Sequence, residues 1–296
     1  MAKILCSVFI LIFSGTAFSQ LELQPLLDTQ HKFEKAMSED GMRSAFLKFL
    51  GDDAIIFQPE AINGKQYWNS RTDEPSLLLS RSTTYSDIAA NGLLGYTTGN
   101  WRLYQKGKSE GLAKFGQYVT IWERKPDGGY RASLDITIAH EKLPFAETDR
   151  LGRVKQSRDI NKRGWSPADA SMNFLRTSMS GTGLGGAYEK FAADDVRLLR
   201  DTMPPIIGKK RVVTAMSDYL SIDFPKKIAL FQSADMAYTW NPCQFDNSDE
   251  GYTKGNCLHI WKLRDKKWLI VLGVFAQVAN DKEPKLRTRP KRRRAQ

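Results

Sequence analysis

Cysteine and histidine are both scarce in this sequence, with three of each among 296 residues. The histidines His31, His140 and His259 are scattered, and no HxH, HExxH or CxxC motif occurs. Those motifs place metal ligands close together, so their absence argues against a zinc or other transition-metal site. A Cys/His nucleophile pair is also missing. We therefore expect neither a metal nor a cofactor.

Long apolar runs are missing as well. The run at the N-terminus, Ile4 to Phe13, is shorter than the roughly 18 residues that a membrane-spanning helix needs. It follows Lys3 and precedes a small-x-small site at Ala17-Phe18-Ser19, which is the pattern of a secretory signal peptide. We interpret residues 1–19 as a signal peptide cleaved near Ser19/Gln20, and a membrane anchor as the alternative. The mature protein is then expected to be exported, to the periplasm or the medium.

Cleavage would leave two cysteines, Cys243 and Cys257, in an oxidising compartment. They flank the loop between two predicted neighbouring strands, where a disulfide across the hairpin is geometrically reasonable. Two buried free thiols are the alternative.

Basic residues outnumber acidic ones, but the excess is concentrated at the C-terminus. The net charge is +11, and residues 281–296 carry eight Lys or Arg against Asp281 and Glu283, a sum of +6. This tail has almost no apolar residues, so it is predicted to be disordered. Behind a signal peptide its expected partner is an anionic envelope surface, lipid or polysaccharide, or none; no nucleic acid is expected.

One stretch of the sequence occurs twice. Gly116-Gln-Tyr-Val-Thr-Ile-Trp122 corresponds to Gly255-Asn-Cys-Leu-His-Ile-Trp261 near the other end. Each copy runs into a turn and resumes on an aromatic residue, Tyr130 or Trp268. The pattern predicts a long antiparallel hairpin in each copy.

Four pairs of matching residues are separated by nearly the same number of positions along the chain. The offsets are 142 residues for Asp53/Asp195, 144 for Gly64/Gly208, 142 for Tyr96/Tyr238 and 139 for Trp122/Trp261. A nearly constant offset across four landmarks indicates a tandem duplication.

Periodicity and turn residues predict the elements of each copy. In the first copy we expect a long and a short helix over Leu21–Leu50, a strand at 54–57, a helix from Ile62, a polar span over 70–87, and strands at Leu93–Tyr104, Gly116–Arg124 and Tyr130–Ala139. Polar residues 140–165 read as a linker. Ser166-Pro-Ala-Asp169 is a strong helix start for the second copy. Gly181-Thr-Gly-Leu-Gly-Gly186 lacks the Lys-Ser/Thr of a phosphate-binding loop and is interpreted as a flexible turn between two helices.

This order of elements resembles the nuclear transport factor 2-like superfamily, and its SnoaL-like branch in particular. The resemblance implies an α+β fold of two tandem cone-shaped domains, each a strongly bent antiparallel sheet wrapped around N-terminal helices. The expected boundaries are 1–19 for the signal peptide, 25–140 for domain 1, 141–165 for the linker, 166–280 for domain 2 and 281–296 for the tail. The two domains are expected to pack as an intrachain pseudo-dimer.

The resemblance also implies an apolar pocket at the open end of the cone, which in enzymes of the family holds an acid or a base. Asp135 in the last strand of copy one is the first candidate, and copy two has Gly273 at the matching position. Strict alternation would leave Asp135 on a polar face with Arg131, Ser133 and Thr137, opposite the face of Tyr130, Ala132, Leu134, Ile136 and Ile138. His259 is the second candidate, at the position that Thr120 occupies in copy one.

Aromatic residues on the predicted strands are the candidate ligand contacts, together with His259: Trp101, Tyr118, Trp122, Trp240 and Trp261. Their alternative role is sheet core or packing between domains.

Three functions fit these observations. The leading hypothesis is an exported, non-catalytic binder of a small apolar or aromatic molecule. The second is an isomerase, cyclase or dehydratase with Asp135 as general base and Tyr118 or Trp101 orienting the substrate. The third is an envelope scaffold that binds through its basic tail.

Overall fold

The structure is a computed structural model that describes residues 16–107, 114–141, 164–221, 228–247 and 251–278. Residues 1–15 of the expected signal peptide, most of the expected linker and the basic tail lie outside this range, so the predictions about them stay predictions. The α+β class is confirmed, because each half of the chain has helices followed by a strongly curled sheet.

In its described residues, the first half contains three helices and six strands. They are α1 (Thr16–Glu39), α2 (Met42–Phe49), β1 (Leu50–Phe57), β2 (Ala61–Asn63), α3 (Gly64–Ser70), β3 (Leu77–Ile88), β4 (Leu94–Gln105), β5 (Lys114–Arg124) and β6 (Tyr130–His140). Gly41, with φ of 84°, lies between α1 and α2 and allows the chain to turn there. α2 buries Ala45, Phe46 and Phe49, which recur at helical spacing on one face.

The second half repeats this order with one additional strand. Its elements are α4 (Pro167–Ser178), α5 (Gly183–Phe191), β7 (Ala192–Arg200), β8 (Ile206–Ile207), α6 (Lys209–Ala215), β9 (Tyr219–Ser221), β10 (Ala229–Ser233), β11 (Met236–Asn247), β12 (Gly251–Arg264) and β13 (Lys267–Val278). Ser166 and Asp169 form the capping box that begins α4, as predicted. The prediction of a turn over residues 181–186 is wrong from Gly183 onward, because Gly183 already begins α5.

The two sheets have the same strand order. It is β2-β1-β6-β5-β4-β3 in the first and β10-β11-β12-β13-β7-β8 in the second, with β9 pairing beside β11. In each sheet one pair is parallel, β1 with β6 and β7 with β13, and the long hairpins are antiparallel. The matched topology is what a duplicated unit would give.

The polar span predicted over residues 70–87 is wrong, because most of it is strand β3. Its polar side chains find partners on the inner face of the sheet, so the segment needs no apolar alternation. Arg81 is hydrogen-bonded to Asp135, and Thr83 to Tyr118. A strand whose inward side chains are polar lacks the period-2 apolar pattern by which strands are recognised.

The strict alternation expected for β6 is also wrong. The register with β5 shifts between Ile121 and Trp122, so that Ile121 pairs with Leu134 and Trp122 with Ala132, and Ser133 is the extra residue of a bulge. Before the bulge, Ala132 packs in the core of domain 1; beyond it, Leu134 packs in the core shared with domain 2. The bulge thereby places Asp135 on the inner face of the cone.

The outer faces of the two sheets pack against each other. The shared apolar core includes Val119, Ile121, Leu134 and Ile136 from the first sheet and Leu258, Ile260, Leu272 and Val274 from the second. At this contact the buried Lys262 ammonium lies 3.4 Å from Asp87 and 3.3 Å from Asp235, and it donates to the Ile88 carbonyl at 2.6 Å. An ionic cluster therefore joins β3 of one sheet to β12 and the β10–β11 turn of the other.

Candidate functional site

Domain 1 has an open cavity of about 190 Å³ on the inner face of its sheet. Helices α2 and α3 form one side, and strands β1, β3, β4 and β6 form the other. Much of the wall is apolar and consists of Met42, Phe46, Ile56, Trp68, Leu79 and Leu103. On the sheet side the wall also includes Phe57, Gln58, Arg81, Trp101, Asp135 and Thr137.

Asp135 is not a free carboxylate in this cavity. Its two oxygens accept hydrogen bonds from Nη1 and Nη2 of Arg81 at 2.7 and 2.8 Å, and Thr120 Oγ1 donates to it at 2.6 Å. The side chains of Arg81 and Asp135 are only 1% and 6% exposed. A bidentate guanidinium–carboxylate pair of this kind is strong and geometrically fixed. The arrangement favours a structural role for Asp135 over proton transfer.

Aromatic rings surround the Arg81 guanidinium. Its Cζ lies 4.5 Å from the ring centroid of Tyr118, 5.4 Å from that of Phe46 and 5.6 Å from that of Phe33. Burial opposes the charge of Arg81, but the attraction and hydrogen bonds of Asp135, together with Tyr118 and Glu34, outweigh it and raise the pKa of Arg81 above its usual value. The guanidinium therefore stays charged and holds Asp135 in place.

A polar network lies behind the pair. The Tyr118 hydroxyl is 2.7 Å from Thr83 Oγ1 and 3.1 Å from Gln30 Nε2, and Gln30 accepts from Thr97 at 2.7 Å. Burial raises the pKa of Tyr118 far above its usual range. The hydroxyl remains protonated at any ordinary pH and acts only as a hydrogen-bonding group, so Tyr118 is unsuited to acid-base work.

The inner face of domain 2 is nearly filled. Its cavity is about 20 Å³, close to the smallest space that holds one water molecule. Phe174 lies edge-on to the His259 ring at 4.7 Å, and the Tyr188 hydroxyl is 3.2 Å from Nε2 of the same ring. Burial lowers the pKa of His259 to about 4. The imidazole is therefore neutral at pH 7.

The counterpart of Asp135 in domain 2 is Gly273, where a side chain would crowd Tyr188. Gly273 pairs with His259, as Asp135 pairs with Thr120, and a Cβ at Gly273 would lie 2.8 Å from the Tyr188 hydroxyl. Two closely similar positions in the duplicated sheets have thus diverged, into an ion pair in one domain and tight packing in the other.

Cys243 and Cys257 are joined by a disulfide between β11 and β12, with their Cα atoms 5.9 Å apart. Both cysteines line the small domain 2 cavity. The bond therefore fixes one wall of that cavity and ties two neighbouring strands.

The aromatic residues singled out in the sequence lie in different environments. Trp101 lines the domain 1 cavity, and its Nε1 donates to the Gln117 and Ile138 carbonyls. Trp122 and Trp261 are buried core residues whose Nε1 atoms donate to Thr97 and Thr239. Trp240 packs against Phe57 of the other domain at 5.5 Å and lines a surface cleft with Tyr238. Of the residues named from the sequence, only Trp101 and Asp135 line the domain 1 cavity.

The cavity residues that the sequence did not reveal are Arg81, Trp68 and the apolar groups of α2, β3 and β4. Arg81 was missed because β3 carries no strand pattern. The pairing of Asp135 with Arg81 could not have been found, since 54 residues separate them along the chain.

Two further features are missing from the described residues. No helix there has the length and apolarity to cross a membrane. No group of three or more His, Cys, Asp or Glu side chains in the same ranges could hold a metal ion.

Comparison with known proteins gives matches in structure alone. No family model matches the sequence, and no curated protein does. An NTF-2 like protein of unknown function from Shewanella oneidensis is 14% identical, with a TM-score of 0.32, over 39% of this chain and 97% of its own. An NTF2-like protein of unknown function from Prochlorococcus marinus is 17% identical, with a TM-score of 0.33, over 40% and 97%. The association domain of C. elegans CaMKII is 11% identical, with a TM-score of 0.32, over 40% and 96%.

The two NTF2-like structures carry the fold name that the sequence resemblance predicted. What this chain does has to be argued from its own residues.

Proposed function

We propose that this protein is an exported, non-catalytic binder of a small apolar or aromatic molecule, which domain 1 holds in its cavity. The observation that carries the proposal is the contrast between the two domains. The cavity is about 190 Å³ in domain 1 and about 20 Å³ in domain 2, although both domains have the same strand order. Domain 2 then serves as the folded partner that covers the outer face of the domain 1 sheet.

The size of the cavity sets the size of the ligand. An engineered apolar cavity of about 150 Å³ in another protein holds one benzene molecule. A cavity of about 190 Å³ therefore fits a single-ring molecule with a short substituent. Since Phe46 and Trp68 line the wall with parallel stacked rings, 4.7 Å between centroids, a flat ligand has aromatic surface to pack on.

The acid-base enzyme is the weaker alternative. A general base needs an accessible lone pair and a pKa near the working pH. In domain 1 the Asp135 oxygens already bind Arg81 and Thr120. Proton abstraction by Asp135 would require this pair to break in a buried site, which is costly.

Export forms part of the proposal and is supported by two observations. Disulfides such as Cys243–Cys257 persist mainly in oxidising compartments. The signal-peptide pattern of residues 1–19 points the same way. Contact of the basic tail with an anionic envelope surface is a further expectation, supported by the charge of residues 281–296.

Native mass spectrometry of the protein purified from its natural source tests the binding proposal. Leu79 lines the cavity, and Leu79→Trp should fill the cavity and release the ligand. The control is Leu230→Trp, the same substitution at a residue that is 40% exposed in domain 2. The proposal predicts an added small mass in the wild type and in the control, and none in Leu79→Trp. Absence of the mass from the wild type, or its retention by Leu79→Trp, would count against the proposal.

A further inference from the structure

An open cleft of about 620 Å³ lies where β1 of domain 1 meets the outer face of the domain 2 sheet. Domain 2 gives it an aromatic wall of Phe231, Tyr238 and Trp240, and domain 1 gives it Asp53 and Ile55. Phe231 is 39% exposed and stacks on Tyr238, with 5.9 Å between ring centroids. Among the described residues, the cleft shares none of its wall with the domain 1 cavity. It is therefore a second site, and its ligand has to be inferred from its own residues.

The tandem duplication gives this cleft a counterpart, where β7 of domain 2 meets the outer face of the domain 1 sheet. Ile55 pairs with Leu134 of β6, and Arg197 pairs with Leu272 of β13. These pairs lie next to the same bulge in each sheet. Arg197 is therefore the domain 2 residue that corresponds to Ile55, and the two residues are 142 positions apart, like the matching aspartates of β1 and β7.

Two arginines of the chain fill the counterpart. The Arg197 guanidinium lies over the Tyr85 ring of domain 1, with 4.7 Å between Cζ and the ring centroid. Tyr96, whose ring is 6.1 Å from that of Tyr85, is only 1% exposed. Arg264 Nη1 donates to Asp195 Oδ1 at 2.5 Å. This end of the contact between the sheets is thus closed by one guanidinium on an aromatic ring and another on a carboxylate.

The open cleft lacks both of these cations. Ile55 stands in the place of the stacked arginine. Lys125 corresponds to Arg264 in the sequence repeat, but its ammonium lies 3.2 Å from Glu123. Asp53 is exposed, and within the described residues it has no hydrogen bond or ion pair. The cleft thus presents an aromatic wall and an unpaired carboxylate, the two kinds of group that hold arginines in the counterpart.

The ring on which a cation can stack is kept, but it has moved to the neighbouring strand. The Tyr85–Thr98 pair of β3 and β4 corresponds to the Ala229–Trp240 pair of β10 and β11. Tryptophan is the side chain that binds a stacked cation most strongly. The exchange therefore keeps in the open cleft the kind of surface that Arg197 covers in the counterpart.

The charges of the cleft favour a cationic ligand. Lys65 pairs with Asp52 at 2.6 Å, and Arg131 lies 3.9 Å from Asp127 at the edge of the cleft. With these pairs counted, four carboxylates face three cations: Asp52, Asp53, Glu123 and Asp127 against Lys65, Lys125 and Arg131. Asp53 is the charge that remains, so a cationic ligand would gain an attractive contact that an anionic ligand would not.

We propose that this cleft binds a peptide partner through one arginine side chain. The guanidinium packs on the aromatic wall of Tyr238 and Trp240 and donates to Asp53, contacts that Arg197 and Arg264 divide between them in the counterpart. A planar, delocalised cation suits both kinds of contact better than an ammonium does. The cleft, at about 620 Å³ against about 190 Å³ for the domain 1 cavity, has room for the peptide on either side of the arginine. This inference does not depend on the proposed function.

Four probes test the proposal by ligand-observed NMR on the full mature chain at pH 7. They are the capped tripeptide acetyl-Gly-Arg-Gly-amide, its lysine and citrulline analogues, and methylguanidinium. We expect the arginine peptide to bind about 3- to 10-fold more tightly than the lysine peptide, because an ammonium lacks the planar stacking face. Citrulline keeps the shape of arginine without its charge, so its peptide should bind at least about 10-fold more weakly. Methylguanidinium should also bind about 10-fold more weakly, because it lacks the flanking peptide.

Two variants locate the site. Ile55→Arg copies Arg197 into domain 1 and should fill the cleft, weakening the arginine peptide at least about 10-fold; Ile55→Leu is its control and should bind as the wild type does. Asp53→Asn removes the unpaired carboxylate at an exposed position, where the fold is unaffected, and should weaken the peptide several-fold. Its matched control is Asp194→Asn, an exposed residue of β7 outside the cleft, which should leave binding unchanged.

Each contrary outcome overturns a stated part of the proposal. Equal binding of the arginine and citrulline peptides would overturn the role of the cation, and methylguanidinium bound as tightly as the peptide would overturn the peptide partner. Unchanged binding in both Ile55→Arg and Asp53→Asn would overturn the location. Tighter peptide binding after deletion of residues 284–296 would make the basic tail of this chain the occupant in place of a separate partner. No binding of the arginine peptide would overturn the site itself.

Discussion

Lys262 offers the sharpest test of how the two halves of the chain hold together. Its side chain is fully buried between the sheets, and the side chains of its partners Asp87 and Asp235 are 2% and 0% exposed. Lys262→Met keeps the length of the side chain but removes the cation, leaving two buried carboxylates without a counter-charge. Breaking a buried ionic group in this way costs about 3–5 kcal/mol.

The stability lost in Lys262→Met should depend on pH. Burial raises the pKa of Asp87, and the Lys262 charge opposes this rise. A carboxyl group whose pKa is higher in the folded state stabilises the fold when protonated, and that contribution is lost as the pH rises through the folded pKa. Without Lys262 this window should move upward, so Lys262→Met should lose more stability at pH 7 than at pH 5.

Urea unfolding measures the effect. With a slope of about 3 kcal/mol per M, the expected loss lowers the midpoint by about 1–1.7 M at pH 7. Asp87→Asn is the control. Its amide oxygen still accepts a hydrogen bond from the Ile88 N–H, and the Lys262 ammonium still pairs with the Asp235 carboxylate. Asp87→Asn should lower the free energy of unfolding by less than about 1 kcal/mol. The double variant with Lys262→Met should recover part of the stability that Lys262→Met loses alone. A Lys262→Met midpoint within about 0.3 M of wild type, or an equal loss at both pH values, would refute the reasoning.

Three further predictions concern the disulfide, the buried histidine and the tail. Replacing Cys243 and Cys257 by serine should lower stability by about 3 kcal/mol, the value for a loop of this length; an unchanged melting temperature would contradict it. The pKa of His259 is lowered to about 4, so the neutral imidazole contributes to the stability of the fold. This contribution should be fully present above about pH 6.5, and up to about 3 kcal/mol of it should be lost as the pH drops toward about 4. His259→Gln should flatten that part of the stability curve, and an unaltered slope would assign it to other groups. Deleting residues 284–296 should leave the melting temperature unchanged and abolish salt-sensitive retention on anionic vesicles; a drop of several degrees would show that the tail packs on a domain.

Local patterns were enough to predict the duplicated organisation of the chain. The capping box at Ser166, the glycine turn near Gly128 and the alternation of β5 and β12 all act between residues close in sequence. Each of these features has a residue type that the backbone requires, such as an N-cap acceptor or a glycine at positive φ. A reader of the sequence alone can therefore place most helices and both hairpins.

The cavity of domain 1 depends on features that such patterns do not record. The sequence of β3 is typical of a polar loop, because nothing in it shows that Arg81 pairs with Asp135, which lies three strands away in the sheet. The bulge at Ser133 changes which side chains of β6 face the inside of the cone. Simple alternation places Asp135 opposite Leu134, but it does not show that the face of Asp135 is the inner one. A buried ion pair or a bulge is stable only because distant segments supply its partners.

The sequence by itself determined the α+β class, the tandem repeat and the identity of two cavity residues, Trp101 and Asp135, among its candidates. Only the tertiary structure decided that Asp135 is held by Arg81, that domain 2 is filled by Tyr188 and His259, and that domain 1 keeps an open cavity. The physical reason is that secondary structure follows from neighbouring residues, whereas the charge state and the free space of a site follow from side chains that meet only when the sheets close.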